Sequence, residues 1–86
     1  MLLVMVTWHD AQLFTGTHSR EECKKYKICT YDSVGYLISK DEETTIIAGE
    51  LSDGNYRNVT LIPTGSIVEI SDLTFAERDI KGGNKI

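Results

Sequence analysis

The stretch Ile62-Pro63-Thr64-Gly65-Ser66-Ile67-Val68-Glu69-Ile70 restricts the fold of this chain more than any other. Proline fixes φ, and a glycine two residues later frees the backbone, so a sharp turn falls between two apolar, β-branched runs. Strand, turn and strand within nine residues leave no room for a crossover helix. Connections this short suit an antiparallel sheet.

The remaining pattern repeats this arrangement. Residues 2–7 are continuously apolar and read as a buried strand. A loop with a glycine turn follows over 10–17. Ser19 and Glu22 have the spacing of a capping box, with acidic residues first and lysines later, so 19–26 reads as a short helix. A helix that short is unstable alone, and it is expected to dock through Cys23 and Tyr26. Residues 28–39 form a long strand in which Gly35 marks a bend, bulge or close approach. A charged tip at 40–43, a strand at 44–50, a Ser-Asp-Gly-Asn turn at 52–55 and a strand at 56–62 come next. The strand at 66–70 is followed by a stretch at 72–79 that reads as a short helix or as irregular chain, and by a loose tail at 81–85. Connections by hairpin exclude a parallel α/β sheet. A mainly β fold is expected, as a small, strongly bent SH3-like barrel with one short N-terminal helix, the OB-fold being the alternative.

A chain of 86 residues makes one domain with a thin core, burying only about 60% of its unfolded surface. Such domains lean on disulfides, metals or self-association. Cys23 and Cys29 have a spacing of no common zinc or redox motif, and read as reduced thiols in a cytoplasmic protein. His9, Asp10, His18, Cys23 and Cys29 are irregularly spaced, so no metal is expected. Residues 1–6 are too short for a secretory signal, and no apolar run nears the ~20 residues that cross a bilayer, so no membrane partner is expected. Association of copies through exposed strand edges is left, with the strands at 44–50 and 66–70 as partners.

The chemistry is sparse. Thirteen acidic residues against nine basic ones give a net charge of −4, which argues against a broad phosphate-binding face. Arg20, Lys24, Lys25 and Lys27 cluster, but Glu21 and Glu22 dilute them into a solvated helix face. Ser66 lacks a nucleophile elbow, and Gly82-Gly83 lacks the flanking strand and helix of a phosphate loop. No enzyme activity and no cofactor are expected. Trp8, Tyr31, Tyr36 and Tyr56 are the candidate stacking aromatics, and Tyr56 stands out because Arg57 adjoins it.

From Gly35 onward the chain resembles the Sm-like family of ring-forming small barrels. Gly35, Leu37 and Asp41 match three of four positions of its first motif, and Thr45 stands where the family carries asparagine. The 62–70 stretch resembles its second motif, nearer in spacing to the bacterial branch, without the Arg, Lys or His of that motif's turn. The resemblance covers about half the chain, from Gly35 to Ile70. The stretch is also similar to small phage-encoded proteins ending in an Ile-Pro-x-Gly-x-Ile strand. The resemblance implies a single Sm-like β-barrel domain over 1–86 with a loose tail from about 80. It implies a homo-oligomeric ring with RNA-binding or RNA-chaperone-like activity. Single-stranded RNA would meet Thr45, Tyr56, Arg57, Pro63, Thr64 and Gly65, and copies would meet through Thr44, Ile46, Ala48, Ile67, Val68 and Ile70. The rival expectation is a phage-type structural or protein-interaction module that binds no nucleic acid.

Overall fold

A computed structural model describes residues 1–74. The element expected at 72–79 and the tail from about 80 lie, beyond Thr74, outside the described residues. Five strands form one antiparallel sheet: β1 (Leu3–Asp10), β2 (Cys29–Lys40), β3 (Thr44–Ser52), β4 (Asn55–Pro63) and β5 (Ile67–Asp72). Their order across the sheet is β4-β3-β2-β1-β5.

The mainly β expectation holds, and the barrel does not. β4 and β5 are the two edges of the sheet, and no ladder joins them. The short 3-10 turn Thr64–Ser66 sends β5 across to pair with β1, while β4 stays along β3. Long strands reinforce the difference. β2 runs for 12 residues, and β3 and β4 for nine each, so they outrun the small core. The radius of gyration is 17.1 Å, against about 12 Å for a compact domain of this length.

The core sits at one end of the sheet. Val4 and Val6 of β1, Ile47 of β3 and Ile62 of β4 form one buried cluster, flanked by Trp8, Leu37, Ile67 and Ile70. Ile62 of the edge strand β4 thus shares one buried cluster with Val4 and Val6 of β1, although two strands separate them, so the sheet curls there without closing. Gly35 faces this core opposite Val4. A β-carbon on it would lie 2.7 Å from the Ala48 carbonyl oxygen, so the glycine permits the close approach of β2 to β3. A register shift between Leu37 and Ser39 adds a bulge to the same ladder.

Two local expectations need correction. Helix α1 is a single turn, Arg20–Cys23. Its capping box is formed as the sequence suggested: Ser19 Oγ accepts from the Glu22 amide at 3.1 Å, and Glu22 Oε1 accepts from the Ser19 amide at 3.3 Å. The helix buries no residue and does not dock on the sheet. Tyr26 instead stacks on Phe14 of the preceding loop, with centroids 4.4 Å apart. β1 also runs three residues past its expected end, because His9 and Asp10 pair with Thr30 and Cys29 of β2.

Candidate functional site

The expected RNA-contact residues separate into two groups. At one end, Thr45, Pro63, Thr64 and Gly65 belong to a brace between two turns. Asp41 Oδ1 accepts from the amides of Glu43 and Thr44, both at 2.8 Å. These two bonds hold the Asp41 carboxyl below its ordinary pKa of 3.8. The Thr64 amide donates to the Glu43 carbonyl at 3.0 Å, and the Thr64 hydroxyl donates to the Asp41 carbonyl at 2.8 Å. That spends the only hydroxyl proton of Thr64, so in the 2.9 Å contact between the two threonine hydroxyls Thr45 is the donor. Thr45 is fully buried.

At the other end of β4 stand Tyr56 and Arg57, seven residues of strand from the brace and therefore roughly 23 Å away. Arg57 is 3.6 Å from Glu50, whose other carboxylate oxygen accepts from Asn58 Nδ2 at 2.8 Å. Trp8 and Tyr31 lie against each other, with centroids 5.7 Å apart, and the Trp8 indole N–H donates to the Ser33 hydroxyl at 3.0 Å. No expected platform meets a cluster of cations. The expected RNA-binding surface is therefore not present as drawn: its threonines brace turns, and its aromatic and arginine sit at the far end of a ribbon.

The expected association strands also change places. β3 is paired on both sides, by β2 and β4, so its backbone offers no free edge. Thr44 and Ile46 are half-buried and Ala48 is buried. In β5, Ile67 and Ile70 pack against the core while Val68 is exposed. The free edges among the described residues are those of β4 and β5.

These edges differ in chemistry. β5 has six residues and carries Glu69 and Asp72. β4 has nine, and its run Asn58-Val59-Thr60-Leu61-Ile62-Pro63 carries no charge. Val59 is 47% exposed and Leu61 63% exposed. They stand opposite Ala48 and Ile46 of β3, and Ala48 stands opposite Tyr36 of β2. Opposed residues share a face. Val59 and Leu61 therefore share the face of Ile46, Ala48 and Tyr36, with their own side chains left exposed at the β4 edge. Two features fix this strand. Asp53 and Gly54 have φ of 51° and 77°, as a type I′ hairpin turn requires. Asn58, at φ 56°, puts a left-handed residue at the start of the uncharged run.

Sequence reasoning missed the loop preceding β2. His18 stands edge-on to the stacked Tyr26 at 5.6 Å. Its Nε2 lies 2.8 Å from the Thr15 carbonyl, an acceptor only, so the neutral ring carries its proton there. Nδ1 then accepts from the Tyr26 hydroxyl at 2.6 Å. A recess of about 260 Å³ opens beside this stack, lined by Gln12, Phe14, Tyr26, Lys27 and Ile28. Only the aromatic spacing across the Gly16 turn hinted at such a cluster.

Among the described residues no group of three His, Cys, Asp or Glu side chains converges to hold a metal, and no helix is long and apolar enough to cross a membrane. Cys23 and Cys29 are free and exposed. The resemblance to the Sm-like barrels gains no support, from the open sheet or from comparison: no family model, no curated protein and no solved structure matches this chain.

Proposed function

We propose that this chain is a non-catalytic interaction module that associates with further copies of itself through strand β4. The observation that carries this reading is a nine-residue edge, open among the described residues, whose uncharged run 58–63 exposes Val59 and Leu61. Edges of this kind template strand pairing unless they are short, charged or covered. β5, at six residues with Glu69 and Asp72, has the first two protections; β4 is longer, at nine residues, and carries no charge over residues 58–63. The thin core supplies the energetic reason, since small domains gain stability by association. The two exposed thiols fit a reducing, cytoplasmic setting.

Native mass spectrometry and light scattering across the micromolar range test the reading. The wild-type chain is expected to be oligomeric, and Val59→Lys/Leu61→Lys monomeric with an unchanged circular dichroism spectrum. A wild-type chain that stays monomeric throughout would sink the proposal.

A further inference from the structure

The β4 edge also specifies how two copies meet, an inference that rests on the self-association proposed above. In an antiparallel ladder, opposite residues are either both hydrogen-bonded or both not, and the two kinds alternate along each strand. When a strand pairs with its own copy, opposed residues must therefore have the same parity, so the two-fold axis passes through a residue and never between two. Three centres, Val59, Thr60 and Leu61, keep both Val59 and Leu61 paired within β4. An axis at Val59 sets Arg57 against an apolar Leu61. An axis at Leu61 sets Val59 against Pro63, which has no N–H to give to the ladder. An axis at Thr60 sets Val59 against Leu61 twice, matching these two exposed aliphatic side chains with each other.

Charge favours the same centre over one at Val59. Arg57 is 71% exposed, and among the described residues its ion pair is the 3.6 Å contact with Glu50. The acidic turn Asp41-Glu42-Glu43 lies beside the opposite end of β4, held there by the Thr44–Pro63 pairing and by the Thr64 amide on the Glu43 carbonyl. An antiparallel pairing exchanges these ends. With the axis at Thr60, Arg57 falls opposite Pro63 of the second copy and next to that copy's acidic turn.

We infer that two copies of this chain join β4 to β4 antiparallel about a two-fold axis at Thr60, with Val59 on Leu61 and each Arg57 beside the acidic turn of the other copy. The two sheets then continue as one, and both unprotected edges are consumed. Closure by two-fold symmetry leaves β5 as the outer edge on each side, where Glu69 and Asp72 oppose further growth.

Cysteine cross-linking in a Cys23→Ser/Cys29→Ser background tests the register. Thr60→Cys alone is expected to form a covalent dimer under mild oxidation, since the axis brings the residue against itself. Val59→Cys mixed with Leu61→Cys is expected to cross-link faster than either alone. Arg57→Glu is expected to weaken the dimer roughly two- to fivefold, the range of an exposed ion pair, and Glu42→Lys/Glu43→Lys to restore it. If native mass spectrometry shows a dimer while Thr60→Cys stays reduced and Val59→Cys or Leu61→Cys couples with itself, the axis is misplaced but self-association stands. A chain that is monomeric and uncross-linked overturns both.

Discussion

The hydroxyls of Thr45 and Thr64 meet at 2.9 Å, joining the buried start of β3 to the turn that follows β4. Thr64 passes its own proton to the Asp41 carbonyl at 2.8 Å, so one threonine ties together two turns 23 residues apart in sequence. Thr64→Val removes that tie and leaves the buried Thr45 hydroxyl without an acceptor. The expected cost is about 1–3 kcal/mol, because an unmade buried hydrogen bond forfeits its desolvation energy. Thr45→Val/Thr64→Val removes both partners and should recover part of that loss. Urea unfolding of the two single variants and the double variant measures the coupling, and strict additivity would refute the brace.

Gly35→Ala should destabilise the sheet although Ala adds only one methyl. Its β-carbon would sit 2.7 Å from the Ala48 carbonyl oxygen and 3.2 Å from the Ile47 β-carbon. Both obstacles belong to or adjoin backbone, so β2 and β3 must move apart in the tightest part of the sheet. Overpacking of this kind costs about 1–3 kcal/mol. The urea midpoint should fall with little change in slope, and an unchanged midpoint would show that the two strands are free to separate.

How much of this was legible in the sequence depended on range. The Ser19–Glu22 cap and the Asp53–Gly54 turn each rest on a few adjacent residues with specific backbone needs, and the sequence displayed both; at Gly35 it left bend, bulge and close approach open, and the structure shows the close approach. Closure of the sheet was not legible. It depends on whether β4 and β5, which share a turn, also share a ladder, and that is set by the twist and length of all five strands. The candidate site followed the same division. Thr45 was noticed for the motif position it occupies, yet its burial follows from its place opposite Ile62 in the β3–β4 ladder. Val59 and Leu61 read as ordinary strand residues until the strand order put β4 on the outside.

Acid should loosen the turn that ends β2. The carboxylate of Asp41 is stabilised by two backbone amides, so its folded pKa lies below 3.8 and below that of the unfolded chain. Its contribution to stability is then fully present above the unfolded pKa and is lost as pH falls through the folded value. Asp41→Asn carries no such charge. Wild type should exceed this variant in melting temperature near neutral pH, and the gap should narrow below about pH 4. A gap that stays constant down to pH 2 would show that the charge of Asp41 plays no part.

The loop preceding β2 should come apart without the sheet. Its contacts are local: Phe14 on Tyr26 at 4.4 Å, and His18 between the Tyr26 hydroxyl and the Thr15 carbonyl. None of these residues is in the buried cluster of Val4, Val6, Ile47 and Ile62. His18→Ala removes both ring hydrogen bonds from an exposed site and should change global stability by under about 1 kcal/mol. It should, however, speed hydrogen exchange at the amides of residues 19–26, because the turn following Ser19 is anchored through Tyr26 and not through the sheet. Exchange measured by mass spectrometry on wild type and variant separates the two effects. Faster exchange in β1 or β2 as well would mean that the loop supports the sheet.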